Sequence, residues 1–233
     1  MFINIRLNSP MQSWGNQTTG HTSGAYRGTN EFPTYSGVVG LICACCGINR
    51  TGNHDKYIEL INSIKYRSAL ASKQFKIVVD NQNMGGGYRK DIDYERKMVP
   101  LTSDGKDWVG MWRAGISSAK LSDREYLENA DFVVTIETDE VTSNFIASHL
   151  KNPMWFPVFG RSCCIPSERI FSGIFNSYNE CILDAKKILK SEKLIAYMAD
   201  KPENNYNVFD VYDVPVNNQQ FKYTKRKIYK TII

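Results

Sequence analysis

At the start of the chain Ile3, Ile5 and Leu7 alternate with Asn4 and Arg6, the two-residue period of a strand with one buried face. This run, FINIRL, leads straight into PMQSWG at 10–15, and from Asn8 to Phe32 the chain is polar and glycine-rich, which predicts a loop. The pattern then changes period. Between Ser36 and Gly47, Val38, Val39, Leu41, Ile42, Cys43, Cys45 and Cys46 leave almost no polar face, so a buried helix is expected. Ser36 is its expected N-cap, because a serine hydroxyl can accept from an orphan amide one turn on, and Gly47 its expected C-cap. Gly37 and Gly40 would let that helix approach a sheet or another backbone closely.

Further along, IKYRSALAS (64–72) and FKIVVDN (75–81), separated by Lys73 and Gln74, read as a β-hairpin. The stretch 82–123 is long, polar and weakly periodic, with GGG at 85–87, which marks a functional or disordered arm. REYLENADFVVTIET (124–138) restores a strand, and TSNFIASHLKN (142–152) predicts a helix with Phe145, Ile146 and Leu150 on one side. MWFPVFGRSCC (154–164) and IFSGIF (170–175) are strand-like, CILDAKKILKS (181–191) is helical, and short strands follow. The order β-α-β-β-(arm)-β-α-β predicts an α+β chain. Its first unit, 1–175, is ferredoxin-like (RRM-like) with 82–123 inserted as an arm, and 176–233 is a C-terminal helix with a small β-rich extension. That order is compatible with RNA binding but licenses no function by itself.

Composition narrows the class of protein. The 233 residues are 42% hydrophobic and 23% charged, an ordinary soluble balance. The longest apolar run, Gly37 to Ile48, is far short of the roughly 20 residues that cross a bilayer. MFINIRLNSP lacks the basic start and apolar stretch of a secretory signal, so a cytoplasmic protein without membrane contact is expected. Net charge is +5, which permits a polyanionic partner without requiring one. The charge is uneven: Met1 to Asn30 carries Arg6 and Arg27 and no acid, and Gln219 to Ile233 carries Lys222, Lys225, Arg226, Lys227 and Lys230 and no acid. That tail fits a polyanion-binding face and a lysine-bearing edge strand equally well.

The cysteines Cys43, Cys45, Cys46, Cys163, Cys164 and Cys181 form no C-x-x-C pair, and no histidine stands at zinc-finger spacing from them. They are expected to act as small hydrophobes in a reducing compartment, and neither metal nor cofactor is expected. The phosphate-loop, nucleophile-elbow and H-E-x-x-H motifs are absent. The histidines are His21, His54 and His149. A metal-independent ribonuclease would draw its acid, base and cation from His21, Tyr35 and Lys56, but nothing in the spacing brings these together.

Binding has better candidates. Gln12 and Trp14, after the first strand, suit edge reading and stacking on a base, although Trp14 would equally close the core beneath the buried helix. Arg27 has no acidic neighbour. Tyr88, Arg89 and Lys90 follow three glycines and suit a finger that stacks and contacts phosphate, with Arg113 further along the arm. Gly160 and Arg161, ahead of Ser162, combine close backbone approach with a two-donor phosphate ligand.

PMQSWG, FPTYSGVVGLICACCGINR, REYLENADFVV and PVFGRSCCIP resemble, in order and spacing, the Cas-five family of CRISPR-associated proteins, nearest to its type I-E Cascade branch. The resemblance spans Phe2 to Phe175. It implies a non-catalytic subunit that caps the 5′ handle of the crRNA, packs its thumb (82–123) on the backbone subunit, and meets the large PAM-reading subunit. Target DNA would be met only through the complex. It also implies that Met11, Gln12, Ser13 and Trp14 border the handle, that Ser36 and Gly37 offer helix N-terminal amides to phosphate, and that Gly160 and Arg161 form a matching loop. Two positions depart from the family pattern: Tyr35 and Ser162 stand where relatives carry basic residues, so either the handle contacts are rearranged or the C-terminal lysines substitute. The lysine–histidine pair of the RNA-processing relatives is missing.

Overall fold

Strand β1 (Phe2–Gln12) runs five residues beyond its alternating stretch because ladder partners flank it on both sides. On one side lies β5 (Lys120–Glu137), antiparallel, from Phe2 opposite Glu137 to Gln12 opposite Leu127. On the other lies β6 (Phe171–Phe175). The computed structural model describes residues 1–15, 26–49, 52, 54–84, 120–203, 205–217 and 222–233. Among these, β3 (Lys65–Ala71), β7 (Ile195–Met198), β9 (Lys222–Ile232) and β8 (Asn207–Asn217) extend the sheet in the order β6-β1-β5-β3-β7-β9-β8. The ladder is antiparallel except where the two-residue β2 (Tyr26–Arg27) runs parallel to Asp123 and Arg124 of β5. The chain is thus α+β with a large, mainly antiparallel sheet.

The hairpin expected over 64–81 is not formed. β3 and β4 (Ile77–Met84) lie end to end along β5: Ala71 faces Phe132, and Ile77 faces Leu127. Both runs carry β patterning, and the unusually long β5 offers each a partner, so they need not turn back on one another. β4 and the first half of β5 form the base of the expected arm, with Met84 opposite Lys120; residues 85–119 lie outside the described residues.

Helix α1 (Tyr35–Cys45) starts earlier than the serine suggested: Thr34, not Ser36, is the N-cap, its hydroxyl accepting from the Gly37 amide. Gly47 sits one residue past the C-cap with φ +68°, the left-handed turn that favours glycine. α2 (His54–Ser63), unanticipated in the pattern, turns only Tyr57, Leu60 and Ile61 inward, too weak a stripe to stand out. α3 (Glu140–Lys151) is capped by Asp139, and α4 (Tyr178–Leu189) begins with a capping box between Ser177 and Glu180. The strand expected at 154–164 is absent. Its amides bond elsewhere: Met154 and Trp155 donate to the carbonyls of Cys45 and Ala44, and Phe159 donates to Cys164.

The period-2 pattern decides the two sheet faces. Ile3, Ile5 and Leu7 stand opposite Ile136, Val134 and Phe132, and this face is buried with Val38, Val39 and Ile42 of α1 and Ile146 and Leu150 of α3. On the opposite face Asn4 donates to the Cys181 carbonyl (2.9 Å) and to Asp184 (2.8 Å), while Leu70, Val133, Ala185 and Ala196 form a second apolar cluster under α4. α4 thus closes the middle of the face that open RNA-binding sheets use for stacking bases. No helix among the described residues is long and apolar enough to cross a membrane.

Candidate nucleic-acid interface

Three of the four motifs singled out in the sequence, those of Trp14, Gly37 and Gly160, meet at one rim of the sheet, and two glycines are what let them meet. Trp14 is 1% exposed and lies beneath α1, so close that a Cβ on Gly37 would stand 2.8 Å from its Cε3. Its ring stacks on Phe159 at 6.1 Å between centroids. The Ser13 amide donates to the Phe159 carbonyl (3.1 Å), and a Cβ on Gly160 would lie 1.7 Å from the Ser13 carbonyl oxygen. The main chain of Trp14 is tied as well, its amide donating to Thr29 Oγ1 and its carbonyl accepting from Asn30.

These contacts correct the expectation that Gln12 and Trp14 are displayed. Gln12 is 0% exposed, and its side-chain amide donates to the Leu7 and Ala130 carbonyls while its Oε1 accepts from the Trp14 indole N–H at 3.0 Å. A buried amide must satisfy its polar atoms, and here the protein satisfies both donors and the acceptor. The indole closes the core, the alternative that the sequence left open. Trp14→Phe, which keeps a ring but strands the Gln12 acceptor and leaves a void, is expected to cost about 2 kcal/mol. A lower urea midpoint at unchanged denaturant slope checks this.

What the rim leaves facing outward is a cation. Arg161 donates to the Arg27 carbonyl (2.9 Å) and the Glu125 carbonyl (3.2 Å), and its guanidinium lies 4.6 Å from the centroid of the Tyr126 ring. These partners orient it without neutralising it. Among the described residues no carboxylate comes within ion-pair distance of it. Glu125 spends its carboxylate on the Tyr26 hydroxyl and the Thr29 amide instead. Arg27, Met11, Ser162 and Cys163 are exposed around it. An oriented guanidinium with donors to spare is a phosphate ligand in waiting.

The N-terminus of α1 differs from expectation. The Tyr35 amide donates to Asp213 Oδ2 (2.6 Å), and Asp213, buried, is held by Arg226 through two bonds of 2.6 and 2.7 Å. The chain therefore supplies its own anion where Ser36 and Gly37 were expected to receive a phosphate, and Thr34 takes the Gly37 amide. The basic tail is largely engaged too: Lys225 pairs with Asp210 and Lys230 with Glu31.

Residues 2–229 match the profile of the CRISPR-associated protein (Cas_Cas5) family. The chain belongs to this family. Over 176 residues it is 28% identical to the CRISPR system Cascade subunit CasD of Escherichia coli (strain K12), an alignment covering 74% of this chain and 70% of that protein. Its fold is similar to a chain of a CRISPR RNA-guided surveillance complex, with TM-score 0.71 at 22% identity over 100% of this chain and 90% of the other. A crystallised Cas protein matches with TM-score 0.63 at 19% identity, over 100% and 94% of the two chains.

Within this Cas_Cas5 chain the rim gathers Met11, Ser13, Trp14, Arg27, Gly37, Gly160, Arg161 and Ser162, with Ser36 half-buried at the start of α1. Tyr88, Arg89, Lys90 and Arg113 lie outside the described residues, as does His21. At the family departure Tyr35, Arg226 rather than a lysine comes near, 5.8 Å from the ring and 4.4 Å from that of Tyr66. The ribonuclease reading loses its tyrosine. Tyr35 is buried and its OH donates to the Ile61 carbonyl at 2.9 Å, which turns it away from any bound RNA, and burial pushes its hydroxyl up to about 12. Among the described residues no three His, Cys, Asp or Glu side chains converge as a metal site. Burial raises the thiol of Cys45 to about 11 and those of Cys46 and Cys181 to about 12, the behaviour of apolar fillers. Sequence reasoning missed Tyr126 and Asp213, and counted Arg226 only as part of the basic tail; their roles depend on contacts that Arg161, Tyr35 and Tyr66 bring from elsewhere in the chain.

Proposed function

We propose that the chain is a non-catalytic subunit of a type I CRISPR Cascade surveillance complex and binds the 5′ handle of the crRNA. In this reading 1–175 is a ferredoxin-like (RRM-like) unit, 82–123 a thumb that packs on the backbone subunit, and 176–233 an extension. The large PAM-reading subunit lies alongside. Membership of the family and the identity to CasD support it. The observation that carries it is Arg161, set on two carbonyls and an aromatic face with no carboxylate beside it among the described residues. The handle would pass along the rim at Met11, Ser13, Arg27 and Ser162, touching Gln12, Trp14 and Gly37 only through the wall they build.

The test is co-expression with neighbouring genes and a repeat-spacer transcript, followed by sequencing of the RNA ends and titration of handle RNA onto the chain. Uniform RNAs sharing one repeat-derived 5′ end are expected. Arg161→Gln should weaken handle binding at least tenfold and flatten the slope of log affinity against log salt by about 0.7, the single-strand value for one lost phosphate contact. An unchanged salt slope would give Arg161 a structural role alone.

A further inference from the structure

We infer that the segment Met154–Phe156, with the groove beside it, docks an apolar side chain of a neighbouring protein subunit, presented on a segment flanked by carboxylates. This rests on the reading of the chain as an assembly subunit. Met154, Trp155 and Phe156 are 67, 45 and 68% exposed, three large, largely uncovered apolar side chains in succession among the described residues. They are not loosely held. The amides of Met154 and Trp155 donate to the Cys45 and Ala44 carbonyls at the end of α1, and Met154 Cγ occupies the place a Cβ on Gly47 would need, 2.8 Å away. A rigid apolar display of this kind costs little entropy to bind.

Phe156 forms one wall of a groove of about 770 Å³, whose other apolar walls include Leu150, Pro157, Pro166, Ile170 and Phe171. The lining argues for a protein occupant over nucleic acid. A phosphate cradle offers backbone amides, whereas proline, present here at 153, 157 and 166, has none to give. Charge at the rim selects the flanks of the occupant. Lys151 lies 4.6 Å above the Phe171 ring, Arg169 is exposed, and neither meets a carboxylate among the described residues. The lining also holds one acid, Glu168, so its charged side chains are two cations to one carboxylate, a net positive rim that suits an acidic partner.

The test uses the assembled complex, with Phe156 replaced by the photo-crosslinker benzoylphenylalanine. Irradiation is expected to link it to a peptide of another subunit that carries an apolar residue between carboxylates. Phe156→Asp should lower recovery of that subunit at least tenfold, and so should Lys151→Glu with Arg169→Glu, the latter rescued by lysines at the partner's carboxylates. Handle RNA should still co-purify with the variants, so loss of RNA from the unaltered chain would strike the handle reading and leave this one to the crosslink. Crosslinks to RNA, lipid or a second copy of the chain, or none with subunit recovery unchanged, would overturn the proposal.

Discussion

Gly160→Ala is expected to cost more than about 4 kcal/mol and to dismantle the rim. Two independent penalties meet at this residue. Its φ of +94° lies in the region that L side chains rarely adopt. Its Cβ would fall 1.7 Å from the Ser13 carbonyl oxygen, a backbone atom that cannot swing aside as a side-chain tip would. Relief requires the 159–164 loop to lift off the segment after β1, which breaks the Ser13–Phe159 bond and removes the ring stacked on Trp14. Arg161, the next residue, would leave its carbonyl partners with it. Denaturation and handle affinity should therefore fall together. Gly40→Ala is the contrast: that glycine lies inside α1 with nothing within 4 Å of its would-be Cβ, and the change should stabilise by about 0.5–1 kcal/mol. A Gly160→Ala protein that melts with the parent would show that the two loops do not need their close approach.

Asp213→Ala is expected to cost about 3–5 kcal/mol, the range for removing one partner of a buried ion pair. The carboxylate accepts two bonds from Arg226 and one from the Tyr35 amide, so its loss strands a guanidinium 16% exposed and leaves the first amide of α1 without its acceptor. Arg226 would keep its contact with the Tyr66 ring, 4.4 Å away, but that replaces little of a charge–charge bond. The double change Asp213→Ala with Arg226→Met should recover much of the loss, because neither charge is then buried alone. Thermal melts of the singles and the double close the cycle. An Asp213→Ala cost near zero would mean that the β8–β9 hairpin does not brace α1.

The basis for both predictions was unevenly legible in the sequence. Ile3, Ile5 and Leu7 announced β1 and its buried face because strand periodicity is local, and the apolar run from Val38 to Cys46 announced a buried helix for the same reason. Family membership was readable too, since the resemblance carried by PMQSWG and FPTYSG is a matter of order and spacing along the chain and needs no contacts, and the family match over 2–229 agrees with it. The β3–β4 hairpin was misread because a strand pattern says that a run pairs and not with what; β5, long enough to take both, decided that.

The site divides along the same line. Gly160 and Arg161 could be chosen from residue chemistry alone, and Gly37 could be read as a point of close approach; the fold packs Gly37 on Trp14 and Gly160 on the adjoining Ser13. Only the tertiary structure decided that Gln12 and Trp14 turn inward, because a ring and an amide serve a core or a ligand equally well until their hydrogen-bond partners are in place. It also decided that the N-terminus of α1 is filled by Asp213, 178 residues from its partner in the chain. Sequence by itself determined which segments seek burial and which residue types stand ready for an anion. Packing decided which of those residues remain unpaired, since a charge or a polar group is free only when the rest of the fold has brought nothing to meet it.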